Sequence, residues 1–353
     1  MKSLAVDRDG TLSICEIPVP VYNDYQALVK VEACGVCNGT DIKIIHGTFK
    51  NFDTYPAILG HEGVGRVVEK GGRVRNLKIG DLVMLPYVEE KTAGYYPGWG
   101  AYSEYAVVGD LKAMTEDGRA SAKSDGGEGA GLFSEGYYAQ QVIPGDMDPV
   151  GATMIVTFRE VLSAIKRFDF RPNNSVVIFG AGPVGLCFTK FAKLLGLGPV
   201  IVFDIVEEKV KEAAAMGADF AFDSTKTDVK KTVLDICKGG ADLIVDAVGV
   251  NQLINQSMEL IKYNGKICCY GISPKLGMEL DWSKGPYNWT LQFLQWPLKL
   301  EESEAHTQIM SWIRMGILDP DDFISDVIPF EDIKDAFRMI EERKTRKKIV
   351  IKY

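Results

Sequence analysis

The hydrophobic pattern of the chain changes character twice. Up to residue 108, apolar and polar positions alternate in short runs at 3–7, 27–33, 63–70, 82–86 and 103–108, separated by Gly, Pro and Asp turns. That pattern predicts a β-rich domain. Between 149 and 167, Ile155, Phe158, Leu162 and Ile165 recur at helical spacing. From 175 onward, strand-length apolar runs alternate with helical patterns. Strands are expected at 176–179, at 200–203 ending in Asp204, at 243–245 and at 266–270, and helices up to 195 and at 226–238 and 251–262. Alternation of this kind implies a parallel sheet covered on both faces, an α/β class. The span 282–296 is aromatic-rich and reads as irregular. Helices follow near 303–314 and 330–342, and then a last strand, 349–353, resembles the first domain in composition, so the chain is expected to return there.

Residues 109–148 fit neither pattern. Within them 121–131 are glycine-rich and polar, which reads as a long exposed loop, either a lid or a disordered segment. The expected division is therefore a β-rich domain over 1–156, completed by 300–353, and a second domain over 157–299.

The second domain carries the first chemical signal. The run 176–179 leads directly into Gly180-Ala-Gly182-Pro183-Val184-Gly185, and Asp204 ends the next apolar run about twenty residues on. In a strand–turn–helix setting, Gly180 permits the tight turn, Gly182 lets the backbone approach a pyrophosphate, and Gly185 lets the helix pack on its strand. The helix start offers free N–H groups to phosphates. Asp204 is placed to accept from ribose hydroxyls. Ile205 stands next to it, where use of the phosphorylated cofactor would favour an arginine, so NAD is favoured over NADP.

Composition narrows the setting. A chain of 353 residues is long for one core and suggests two domains. The net charge of −8 argues against a nucleic-acid partner, and the basic stretch 343–348 reads as a solvated face. No apolar run reaches membrane-spanning length, and the N-terminus runs into a strand rather than a secretory leader. The seven cysteines (15, 34, 37, 187, 237, 268 and 269) show no disulfide framework, which fits a reducing, cytoplasmic setting.

Three histidines occur, at 46, 61 and 306. Cys37 with His61 and Glu62 would combine a thiolate, an imidazole and a carboxylate, a set suited to zinc with a position left open, although a buried Cys and a packed His are common without metal. Over essentially its whole length the chain resembles the zinc-dependent medium-chain alcohol and polyol dehydrogenases. The resemblance rests on Cys37 with Thr40-Asp41, Gly60-His61-Glu62-Gly-Val-Gly65, Lys78-Ile-Gly-Asp81 and Gly100-Ala-Tyr-Ser-Glu-Tyr105. It continues through the Gly180–Gly185 turn, Asp204, Gly217-Ala-Asp219, Asp246-Ala-Val248-Gly249, Gly265 and Gly271. It implies a GroES-like catalytic domain, a Rossmann domain, and an active site in the cleft between them. It also implies Cys37 and His61 as zinc ligands, with Glu62 a ligand or close to the metal, Thr40 at the substrate hydroxyl and Lys43 in a proton relay. Val248 and Gly271 join the glycine turn as cofactor-binding positions.

Three departures accompany the resemblance. Cys37 to Asp41 holds one residue more than the usual Cys-X-Ser/Thr-Asp. Val156 stands where relatives carry a further metal-associated Cys or Glu, with Glu160 one helical turn on. No cysteine occurs between 89 and 102, so one catalytic zinc and no structural zinc is expected. The implied activity is NAD-linked interconversion of a secondary alcohol, as in a polyol, sugar or cyclitol, with its ketone. The rivals are a zinc-independent NAD(P)H reductase of the same superfamily and a non-catalytic NAD-binding protein. Arg159 and Glu160 are open between hydroxyl binding and an exposed helix face. Trp282, Tyr287, Trp289, Phe293 and Trp296 are open between a wall over a sugar ring, core, and a subunit contact in a homo-oligomer, a dimer or tetramer.

Overall fold

Six strands, Val176–Phe179, Val200–Asp204, Phe220–Asp223, Ala241–Asp246, Ile261–Cys269 and Thr290–Phe293, pair in parallel in the computed structural model of the chain. The model describes residues 1–119 and 135–353, so the glycine-rich stretch 121–131 lies outside the described residues. Numbered by their order along the chain, the six strands lie 3-2-1-4-5-6 across the sheet. That is the doubly wound order of dinucleotide-binding domains, and it reverses between Val176–Phe179 and Ala241–Asp246. The first strand is buried at every position because helices cover both faces of such a sheet.

Contacts divide the chain into one unit of Met1–Arg159 with Leu298–Tyr353 and another of Glu160–Pro297. In the second unit the sequence reading missed two strands and mis-set a boundary. The helix Asn251–Met258 stops earlier than expected, and Ile261–Cys269 is already strand. Phe220–Asp223 carries an apolar run of only three residues, Phe220-Ala221-Phe222, and none of them is buried. Thr290–Phe293 is a short outer strand inside the stretch read as irregular. Among the aromatics there, Trp289 packs against the core, whereas Trp282 is 74% exposed and Tyr287 fully so, with Phe293 and Trp296 also exposed. Those four are not core residues.

The first unit holds a sheet of order Ile324–Pro329, Lys348–Lys352, Gln26–Gly35, Gly63–Lys70, Leu82–Met84, Val142–Ile143, with Tyr105–Gly109 also on Gln26–Gly35. The last strand does return to this unit. It runs antiparallel to Gln26–Gly35, with Val350 opposite Gly35 and Ile351 opposite Cys34. Its apolar side chains join Leu4, Val6, Val36, Ile44, Leu59, Tyr102 and Phe337 in one core.

That return brings Lys348 to Glu62. The two are 3% and 1% exposed, and Lys348 Nζ donates to both carboxylate oxygens at 2.7 Å. Thr157 Oγ1 donates to Oε1 at 3.3 Å. Arg159 is neither at an exposed face nor available to a substrate: it is fully buried. Its Nε donates to the carbonyl of Glu302, in the first turn of the helix Lys299–Arg314, and its Nη1 to the carbonyl of Ala139 in a loop, so it straps the helix Met154–Phe168 to a helix and a loop of its own unit.

A second buried carboxyl belongs to Glu89. One of its oxygens accepts from Gln26 Nε2 at 2.7 Å and Tyr137 hydroxyl at 2.9 Å. The other has no hydrogen-bond partner among the described residues. Burial pushes this carboxyl up to about 7, and the two donors offset that only in part.

Two expectations follow. Between about pH 4.5 and 7 the folded chain holds a proton on Glu89 that the unfolded chain releases, so this group's contribution to stability falls as pH rises through that window. The change is on the order of 3 kcal/mol. Urea unfolding of Glu89→Gln across the same range should show a flatter pH dependence than the parent, and parallel curves would exclude the role. Lys348→Met strands the Glu62 carboxylate and should cost about 3–5 kcal/mol in the same assay. Adding Glu62→Gln should recover much of that loss.

Candidate functional site

In the first unit the fold brings Cys37, His61 and Glu62 together. One potential ligand atom from each lies within 4.8 Å of the others, and among the described residues they form the group able to hold a metal ion. Cys37 follows the strand Gln26–Gly35, while His61 and Glu62 immediately precede Gly63–Lys70, its antiparallel neighbour. Two adjacent strand ends therefore deliver all three. The extra residue between Cys37 and Asp41 is absorbed in a turn in which the Asp41 N–H donates to the Cys37 carbonyl at 2.9 Å. The Asp41 carboxylate accepts the Cys37 N–H in return, at 3.0 Å.

Asp41 also faces His61 Nδ1 at 3.3 Å. With that nitrogen turned to a carboxylate, Nε2 is the one left to bind a metal, which is the tautomer such sites use. Burial alone would lower the pKa of this imidazole, but Asp41 and Cys37 facing it outweigh burial and hold it well above the ordinary histidine value. The Trp99 ring lies against it, centroids 5.3 Å apart. A thiol, an imidazole and a carboxylate around one point suit zinc.

Glu62 is the member already engaged, by Lys348. The sequence reading missed Lys348 because it is 286 positions away and sits in a run of basic residues that reads as surface. Val156 is buried and brings no donor, and Glu160, the first residue of the other unit, is not in the group.

Thr40, in the turn between Cys37 and Asp41, is buried at the start of the short helix Asp41–Ile45, where its side chain caps nothing. Lys43 is half-buried on the same helix and donates to the Gly39 carbonyl at 2.9 Å. Burial lowers its pKa, and nearby Cys37 opposes that.

In the second unit the turn has the form its glycines predict. Gly180 sits at φ +98°, a conformation that L side chains rarely adopt. A Cβ at Gly185 would run into the Gly180 carbonyl. At Gly182 a Cβ would meet nothing within 4 Å, so space stands open over the backbone there. The helix Pro183–Leu194 begins at the next residue, with proline at the position where a missing N–H costs least. Val184 lies in its first turn.

Asp204 ends the neighbouring strand and points back at the turn: one carboxylate oxygen accepts from Ala181 N–H at 2.7 Å, the other from Val206 N–H at 3.0 Å. A carboxylate has about four acceptor sites, so ribose hydroxyls can still be bound. Asp223 ends the next strand, directly opposite Asp204. Ile205 and Val248 are exposed at the same end of the sheet, and Gly271 follows the fifth strand, its N–H on the Asp246 carbonyl.

The comparisons agree with both halves of this arrangement. The model for the alcohol dehydrogenase GroES-like domain matches residues 23–116, and that for zinc-binding dehydrogenase matches 183–289. An alcohol dehydrogenase of Geobacillus stearothermophilus is 32% identical over 274 residues, 77% of each chain. A sorbitol dehydrogenase of Halalkalibacterium halodurans is 29% identical over 80% of each. In fold, the alcohol dehydrogenase of Thermus sp. ATN1 superposes with a TM-score of 0.81 at 20% identity, over 100% of both chains. The chain belongs to the zinc-dependent medium-chain alcohol and polyol dehydrogenases, a family of oxidoreductases with a GroES-like domain and a Rossmann domain.

Proposed function

We propose that this oxidoreductase interconverts a secondary alcohol, of the polyol, sugar or cyclitol class, with its ketone, using NAD and one catalytic zinc. The observation that carries the reading is the group of half-buried Cys37 with buried His61 and Glu62, whose three donor types suit zinc with a position left for a substrate oxygen. When bound, zinc supplies a Lewis acid that makes the hydroxyl more acidic, and NAD supplies the hydride acceptor. The chain's own residues do the rest. His61 is aimed by Asp41. Glu62 is held in a buried place by Lys348, whose charge also limits the negative charge that would face the ion. Thr40, beside Cys37 and with no capping duty, takes the substrate proton and passes it towards Lys43, whose lowered pKa suits transfer nearer neutrality.

For the cofactor, the open space over Gly182 accommodates a pyrophosphate at the helix start. Asp204 binds the ribose. With Asp223 opposite, it also disfavours a phosphate on that ribose, since two carboxylates would face added negative charge. The polyol class rests on the relatives, among them one named a sorbitol dehydrogenase. Val156, buried where relatives place a further metal-associated residue, favours the zinc-free reductase as the second reading.

One assay separates them. Purified protein should carry about one zinc per chain and reduce NAD with members of a panel of polyols, sugars and cyclitols, and a chelator should abolish that activity. Full activity in zinc-free protein would overturn the reading. Asp204→Ala should lower kcat/KM for NAD by about ten- to a hundredfold, the range for a hydrogen bond to a charged group, and narrow the preference over NADP. An unchanged preference would remove Asp204 from cofactor selection.

A further inference from the structure

Asp41 reaches both Cys37 and His61, so whatever holds Asp41 holds the metal site. Its Oδ1 faces His61 Nδ1, and its Oδ2 accepts the Cys37 N–H. The remaining contact comes from Tyr102, whose hydroxyl lies 2.7 Å from Oδ2 and 3.0 Å from the Gly35 carbonyl. A phenol has one proton to give, and the charged acceptor is the closer and makes the stronger bond.

Tyr102 is itself immovable. It is fully buried, its N–H donates to the Leu59 carbonyl, and its carbonyl accepts the Leu4 N–H. Its ring meets Phe337 edge-on, centroids 6.0 Å apart. Burial, and then Asp41 beside it, push the phenol well above its ordinary pKa, so it stays a donor.

We propose that Tyr102 is a positioning residue for the metal. Its hydroxyl anchors the Asp41 carboxylate in the one orientation that serves the Cys37 backbone and the His61 ring together. The role rests on the zinc reading above. Without the hydroxyl, Asp41 is a fully buried carboxylate with one donor fewer and freedom to rotate away from His61. The groups around it are otherwise fixed by strand pairing, so the loss falls on ligand orientation.

The test measures zinc affinity by chelator competition and the absorption bands of the cobalt-substituted protein. Tyr102→Phe keeps the ring and should weaken zinc binding about ten- to a hundredfold, the range for losing an outer partner of a ligand, with altered cobalt bands. Phe337→Leu disturbs the ring's packing but leaves the proton, and should stay within about twofold of the parent. In an Asp41→Asn background, Tyr102→Phe should cost no more than about twofold further, because both changes break the same link.

A parent that binds zinc alongside an unchanged Tyr102→Phe overturns this role alone. A parent that holds no zinc overturns the zinc reading and this role together. Full additivity with Asp41→Asn shows that Tyr102 does not act through Asp41 and also overturns the role. Should Tyr102→Phe fail to fold, Asp41→Asn alone must weaken zinc binding by at least about tenfold, and a smaller loss overturns the proposal.

Discussion

Two carboxylates, Asp41 and Glu62, are sealed in the core of the first unit, and a buried carboxylate must be paired or it will not stay ionised. Everything around the candidate metal group answers that requirement. Glu62 is neutralised by Lys348, which arrives only when the last strand of the chain pairs with Gln26–Gly35. Asp41 is held by Tyr102, the Cys37 N–H and the His61 ring. A strand-pairing event far along the chain therefore completes a site that begins at residue 37. A buried ion pair of this kind contributes little net stability, because desolvation offsets most of the attraction. What it gives this unit is a carboxylate held in place beside a thiol and an imidazole.

The second unit meets a different constraint. Its central parallel strands are covered on both faces, so polar chemistry there is confined to the strand ends. The order reverses between Val176–Phe179 and Ala241–Asp246, and there the glycine turn opens a space that no side chain fills. Asp204 and the exposed Ile205 and Val248 gather at this end.

Much of this was legible in the residues themselves. The strands 63–70 and 176–179 lie where the alternation and the apolar run place them, and Cys37, His61 and Glu62 converge as their shared chemistry suggests. What failed to be legible failed for identifiable reasons. Thr290–Phe293 is only four residues long and half exposed, so it has no apolar run to announce it. Arg159 read as a surface or substrate-facing cation because a helical repeat does not show that the carbonyls of Glu302 and Ala139, 143 and 20 positions away, wait to receive a guanidinium.

The sequence by itself determined the local chemistry: which turn can approach a pyrophosphate, which residues offer metal donors, and which runs can be buried strands. Those depend on residue type and short spacing, and short spacing survives in the linear chain. Only the tertiary structure decided how the buried charges are compensated. Lys348 looks like one more lysine in a basic tail, and Tyr102 like one more core aromatic. Each acquires its role from a partner dozens to hundreds of positions away, set by strand register and by the cost of leaving a carboxylate in the core alone.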